Sequence, residues 1–260
     1  MSGLKLSERE LKRCVRKIRD SIRDLVENSG ASGVVLGLSG GIDSAVVLML
    51  ARDIVDVKVL LMPEEGLSDS ADSMALVERL GVNYSVVKIN PVLEALEASY
   101  PWGGGAKDKV SWGNVKPRVR MMLNYLTANM ENRIVLGTGN KTELLMGYFT
   151  KYGDGGVDLL PIGDLYKTQV KQVASSIGVP EKIIKKTPSA ELWSGQTDEG
   201  EMGCSYDDLD KVLYYMIDMK LPLREVSRKS KLPLTLVESI RRRVARNKHK
   251  RSMPKVVRIF

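Results

Sequence analysis

Val34-Val35-Leu36-Gly37-Leu38-Ser39-Gly40-Gly41-Ile42-Asp43-Ser44 is the stretch on which the fold turns, and Ala45-Val46-Val47-Leu48-Met49-Leu50 continues it. An apolar run, a loop of small residues and a second apolar run read as strand, loop and helix start. The glycines let backbone N–H groups approach an anion, and a helix N-terminus adds its positive dipole end. Ser39 and Ser44 add hydroxyl donors. Asp43 needs its own reason, because a carboxylate beside a phosphate repels it unless a cation lies between. Loop and aspartate together point to a cradle for magnesium and pyrophosphate. A turn that merely caps a helix is the simpler alternative, but it does not need the aspartate. The pattern is not G-x-x-x-x-G-K-[ST], and Gly139-Asn140-Lys141-Thr142 also lacks the Gly-Lys step.

Working outward, Ser7 and Glu10 form an S-x-x-E capping box. Leu11, Val15, Ile18, Ile22, Leu25 and Val26 follow at helical spacing, and Gly30 closes the segment. That stripe suits either the core or an interface. Residues 33–38 read as a strand apolar on both sides, the kind buried in a parallel sheet. Further strands are expected over 57–62, 84–89 and 133–137, with helices over about 69–80 and 116–130. Strands alternating with helices predict an α/β fold: a doubly wound, mostly parallel sheet flanked by helices, with right-handed crossovers. Ligands of such sheets gather at the carboxyl ends of the strands. From Tyr166 the pattern is helical apart from a short strand over 256–259, so one domain over 1–260 with a helical part over about 166–260 is expected. Ser205 caps a helix there, and Pro222 and Pro233 suit first turns. Residues 63–70, 100–113 and 189–203 read as loops able to act as lids.

The 260 residues suffice for a full core. No apolar run reaches membrane-spanning length, and residues 1–10 lack the apolar centre of a signal peptide. Cys14 and Cys204 are far apart and form no C-x-x-C, which suits a reducing, cytoplasmic setting. His249, the one histidine, rules out a His-cluster metal site. The formal charge is +8, yet nine basic and no acidic residues fall within 241–260. Subtracting those nine leaves the preceding residues at −1. A generally basic, nucleic-acid-binding surface is therefore not expected.

Chemistry recurs at the later strand ends. Gly137-Thr138-Gly139-Asn140-Lys141-Thr142-Glu143 follows the fourth strand. Asn140 and Thr142 suit caps, and Glu143 suits either a surface position in a first turn or a second magnesium ligand opposite Asp43. Gly147-Tyr148-Phe149-Thr150-Lys151-Tyr152-Gly153-Asp154-Gly155-Gly156-Val157-Asp158 combines turn glycines with an aromatic–lysine cluster that a plain turn does not need. Lys167, in Asp164-Leu165-Tyr166-Lys167-Thr168-Gln169-Val170, stands at a helix start from which it reaches a phosphate.

The S-G-G-x-D-S loop resembles that of ATP pyrophosphatases, which split ATP into AMP and pyrophosphate. The four segments above, followed by Lys186-Thr187-Pro188-Ser189-Ala190-Glu191-Leu192, occur in the order found in ammonia-dependent NAD synthetases. Asn114-Val115-Lys116-Pro117-Arg118-Val119-Arg120-Met121 is similar to that family's N-x-x-x-R-x-R-M, and His249-Lys250-Arg251 to its H-K-R. The resemblance runs from about Glu8 to the end of the chain.

It implies a ligase that amidates deamido-NAD with ammonia. ATP adenylates the nicotinate carboxylate, and NAD, AMP and pyrophosphate leave. It assigns Gly37, Leu38, Ser39, Gly40, Gly41, Ile42, Asp43 and Ser44 to the ATP phosphates, with Thr138, Lys167 and Ser189 as further ATP contacts. Ser189 stands where the family often has threonine, and the hydroxyl is kept. Asp43 and Glu143 are the implied Mg2+ ligands. Arg118, Lys151, Asp158, His249 and Lys250 are the implied deamido-NAD contacts. Asp43 and Lys167 are expected to be catalytic, and Asp154 to bind ammonium and take its proton. A homodimer is implied, and 260 residues leave no room for a glutaminase domain. Rival readings are GMP-synthetase-like or tRNA-modifying AMP-forming enzymes and, more remotely, a non-catalytic nucleic-acid binder.

Overall fold

The computed structural model describes residues 3–65, 70–100, 108–193 and 195–259. Helix α1 (Glu8–Ser29) begins at Ser7, whose side chain accepts from the Glu10 N–H while the Glu10 carboxylate accepts from the Ser7 N–H, and Gly30 ends it in the left-handed region. Its apolar stripe turns inward: Ile18, Ile22 and Val26 are buried and Leu11 and Val15 pack against the same core, which settles that stripe as core.

Strand β1 (Gly33–Gly37) leads into α2 (Ile42–Ala51), then β2 (Val57–Leu61), α3 (Ala71–Leu80), β3 (Asn83–Val86) and α4 (Asn90–Ser99). A short α5 (Lys109–Gly113), the long α6 (Val115–Glu131) and β4 (Arg133–Val135) follow. The sheet order is β3-β2-β1-β4, and every pair is parallel. Alternation along the strands decides the layers. Val34 and Leu36 of β1 with Val57, Val59 and Leu61 of β2 face the core under α1, α2 and α3. Val35, Leu60 and Val135 face α4 and α6 on the other side. Both faces are covered, so the sheet is doubly wound.

Regular pairing in β3 stops at Val86, although the N–H groups of Val87 and Ile89 still reach Leu61 and Pro63. Strand β4 is likewise shorter than expected. Leu136 donates to Val35, and Gly137 then changes partner to Leu159.

After β4 the described chain is helical: α7 (Lys141–Met146), α8 (Lys167–Ser176), α9 (Glu181–Lys185), α10 (Asp198–Met202), α11 (Tyr206–Leu213), α12 (Leu223–Ser230) and α13 (Leu234–Arg246). A π-helical turn, Tyr214–Asp218, extends α11, and a 3-10 turn, Asn247–Arg251, extends α13. Val170 and Val173 of α8 and Ile183 of α9 pack on the sheet core with α2. A separate cluster around Tyr166, Tyr206, Leu209, Val226 and Val237 holds α11 to α13 together. Ser205 caps α11, and Pro222 and Pro233 occupy the caps of α12 and α13.

Two expectations are corrected. The strand over 256–259 does not form: Val256, Val257 and Ile259 lie exposed and pair with no strand among the described residues. Two of the three loop segments contain helix, since α5 falls within 100–113 and α10 within 189–203. Residues 66–69, 101–107 and 194 of those segments lie outside the described residues.

Candidate active site

Strands β2 and β3 lie on one side of β1 and β4 on the other, so the chain reverses its winding between β1 and β4. Such a switch point opens a crevice at the carboxyl ends of the strands. A cavity of about 510 Å³ occupies this place, lined by the loops after β1 and β4, the N-terminus of α8 and the 186–193 segment.

The first loop is shaped by its small residues. Gly40 has φ 77°, and a Cβ there would stand 2.8 Å from the Ser73 hydroxyl. The Ser44 side chain turns into the loop and braces it, accepting from the Ser39 N–H at 3.2 Å and donating to the Gly41 carbonyl at 3.1 Å. Ser39 therefore carries the more outward of the two hydroxyls. Asp43, in the first turn of α2, faces the second loop: Asn140 Nδ2 donates to its Oδ1 at 3.0 Å. Asn140 is fully buried and also caps α7, in a capping box whose other half is Glu143 Oε2 on the Asn140 N–H. The residues that cap α7 thus also face Asp43 and Lys167.

Lys167 opens α8 and closes the group. Its Nζ pairs with Asp43 Oδ2 and lies 3.3 Å from Glu143 Oε1, over the ring of Tyr206 at 5.0 Å. Burial by itself would lower the Lys167 ammonium, but Asp43 and Glu143 facing it raise it, so it stays charged. Burial pushes the Glu143 carboxyl up, against the pull of Lys167. Two carboxylates that share one cation within a few ångströms present hard oxygen donors, which suit magnesium. Among the described residues no three acidic, histidine or cysteine side chains gather tightly enough to ligate an ion by themselves.

Three residues of this group carried no assignment in the sequence. Tyr206 donates to Asp198 Oδ2 at 2.9 Å and lies 3.5 Å from Glu143 Oε1. Asp198 is buried at the same end of the cavity. Asp210, fully buried, accepts from the Thr142 hydroxyl and from the Thr168 N–H at 2.8 Å, while Thr142 accepts from the Lys167 N–H at 3.0 Å. Asp210 thus pins the start of α8 to α7. The contacts to Glu143, Thr142 and Thr168 close over 63, 68 and 42 residues, and no local pattern announces them.

The cavity's other end is built by the glycine-rich loop. Asp154 Oδ1 accepts from the Thr150 N–H at 2.8 Å, and the carboxylate remains open to the cavity. Enclosure by the surrounding walls pushes its carboxyl up, although the Thr150 N–H, Lys250 and Arg120 act the other way. Lys250 lines the cavity and donates to the Gly147 and Phe149 carbonyls at 2.7 and 2.8 Å. Thr138 lines it too, as does Ser189, whose hydroxyl is 2.8 Å from the Gln196 carbonyl.

Arg118, Lys151, Asp158 and His249 are not in the cavity lining. Arg118 donates to the Lys151 carbonyl at 3.4 Å, so these two stand together on the outer surface. Asp158 accepts from the Tyr125 hydroxyl at 2.9 Å and the Val135 N–H at 2.8 Å. His249 lies exposed on the 3-10 turn. Along the same helix as Arg118 run Met122, Leu126 and Met130, exposed by 51%, 53% and 77%. These four positions are spaced by four residues and share one face of α6.

Residues 14–254 match the family model for NAD synthase. An NH(3)-dependent NAD(+) synthetase from Archaeoglobus fulgidus is 48% identical over 251 residues, covering 94% of this chain and 96% of that protein. One from Methanosarcina mazei is 45% identical over 257 residues, covering 96% and 100%. Among solved structures, an NMN synthetase from Francisella tularensis superposes with a TM-score of 0.84 at 36% identity, over 98% of this chain and 100% of that one. An NH3-dependent NAD synthetase from Campylobacter jejuni, in complex with nitrate, gives 0.78 at 32%, over 95% and 99%.

Proposed function

The chain belongs to the NAD synthase family and is a ligase that makes NAD with ammonia, and we propose that it does so by adenylating the nicotinate carboxylate of deamido-NAD with ATP. The carboxylate attacks the α-phosphorus of ATP and pyrophosphate leaves. Ammonia then attacks the activated carbonyl and AMP leaves. A free carboxylate is a poor acylating agent, and joining it to AMP supplies the leaving group. The observation that carries this reading is the Asp43–Lys167–Glu143 group beside the Ser39–Ser44 loop at the carboxyl end of β1.

Pyrophosphate departs with dense negative charge, which needs preorganised positive partners. The loop N–H groups, the α2 N-terminus and the Lys167 ammonium supply them. Asp43 and Glu143 would hold Mg2+, which when bound neutralises charge on the phosphates. At the other end, Asp154 binds ammonium and takes a proton from it, so that the free base attacks. Thr138 and Ser189 hold ATP, and Lys250 holds deamido-NAD from within the cavity.

Arg118, Lys151, Asp158 and His249 serve deamido-NAD from the surface, which calls for a second subunit over that face. The exposed apolar stripe beside Arg118 supports a homodimer joined at α6, with each site completed across the interface. A cytoplasmic location fits the need for ATP and the two free cysteines, Cys14 and Cys204.

Labelled pyrophosphate tests the chemistry. It should exchange into ATP only when deamido-NAD is present, and not with xanthylate or tRNA. Nicotinate mononucleotide is the remaining arm, because a relative at 36% identity is an NMN synthetase. Exchange without any acid substrate, or with xanthylate or tRNA instead, would overturn the reading.

A further inference from the structure

Arg120 lies in the second turn of α6 and reaches the cavity from its side wall. Its Nε donates to the carbonyl of Met62, just past β2, at 3.1 Å, which fixes the plane of the guanidinium. Its terminal nitrogens have no acceptor among the described residues, and no carboxylate there comes within ion-pair distance of it. The acidic groups around it are Glu64, Glu191 and Asp154. Glu64 is paired with Lys116 at 2.8 Å and Glu191 with Lys186 at 3.5 Å. Asp154 has no ammonium within ion-pair distance among the described residues, and it shares the cavity with Arg120. One wall thus presents a cation and an anion that face the same space without pairing. The reaction brings together an anionic carboxylate and an ammonium ion, charges complementary to these two.

We propose that Arg120 binds the carboxylate that is to be amidated, presenting its two terminal nitrogens to the two carboxylate oxygens beside Asp154. This rests on the deamido-NAD reading above and adds a determinant of specificity to it. A planar guanidinium matches a carboxylate by two parallel hydrogen bonds, which a point-charge ammonium does not reproduce. Asp154 would repel the substrate carboxylate at this end of the cavity, and Arg120 offsets that repulsion. The product is a neutral carboxamide with one acceptor oxygen. The site should therefore hold acid more tightly than amide, and that preference should reside in Arg120.

Deamido-NAD and NAD differ only at this group, so the ratio of their dissociation constants isolates it. Calorimetric titration of the intact protein, with a non-hydrolysable ATP analogue present, should show Arg120→Gln weakening deamido-NAD by about tenfold or more, the loss expected for a charge-assisted contact. NAD should weaken about twofold at most, within the ordinary scatter of a neutral contact. Arg120→Lys keeps the charge without the fork and should retain part of the preference, so a Gln variant that fails to fold leaves the test standing. Equal weakening of acid and amide, or no change in either, would overturn the proposal. Weaker binding of the ATP analogue with an unchanged acid-to-amide ratio would overturn it too, assigning Arg120 to the nucleotide. Wild-type protein that binds no deamido-NAD would instead remove the functional reading on which it rests.

Discussion

Lys167 is the residue on which the two carboxylates depend. Asp43 and Glu143 meet across its ammonium in a setting with little water. Lys167→Met should cost about 3–5 kcal/mol of stability, because removing one partner leaves charge buried and unpaired. Magnesium should recover part of that loss by occupying the same pair of carboxylates. A thermal melt with and without Mg2+ reads both effects, and a variant as stable as the parent would contradict the account. Pyrophosphate formation should fall by about 10² to 10³, the usual range for a lost transition-state contact. Asp154 gives a separate prediction in pH. Its carboxyl is raised above the usual aspartate range by enclosure, and only its ionised form takes the ammonium proton. The rate of aminolysis should therefore rise with pH through that raised value, on the acid limb. Asp154→Asn should lower the rate and abolish that limb, whereas an unchanged pH–rate profile would clear Asp154 of the role.

Elements decide where these residues stand. Gly40 shows why the loop after β1 is written in small residues. With φ at 77° and the Ser73 hydroxyl 2.8 Å from any added Cβ, Gly40→Ala should cost about 1–2 kcal/mol in backbone strain. ATP affinity should fall with it, measured by titration with an analogue, because the phosphate-facing N–H groups move. The Ser7–Glu10 box, the Ser39–Ser44 loop and the caps of α11 to α13 were legible because each rests on contacts within a few residues. Asn140 was legible as a candidate cap, but that Glu143 completes its capping box while facing Lys167 was not. The surroundings of Lys167 were not legible as a set: Tyr206 and Asp198 flank it from α11 and α10 while Asp210 of α11 holds the start of α8, and their role depends on packing between distant segments. The tail over 256–259 carries strand-forming residues, yet it pairs with no strand among the described residues. Periodicity reports what a segment favours, and pairing needs a partner in space.

At the scale of the molecule, the cavity accounts for one substrate's reacting end and leaves Arg118, Lys151, Asp158 and His249 outside. The apolar positions Met122, Leu126 and Met130 on the face of Arg118 account for that separation if a second copy covers them. Leu126→Glu should turn a dimer into a monomer by light scattering. It should also weaken deamido-NAD far more than ATP, as the proposed role of Arg118 on that face requires. A monomeric parent, or a monomeric variant with unchanged deamido-NAD binding, would remove the shared site. The basic segment over 241–260 is partly absorbed by the fold itself, with Arg243, Lys250 and Arg251 donating to backbone carbonyls around α7. The central claim is the coupled reaction. Purified protein given deamido-NAD, ATP, magnesium and ammonium should yield NAD, AMP and pyrophosphate in equal amounts. Formation of ADP and phosphate, or no NAD at any pH where the protein stays folded, would contradict it.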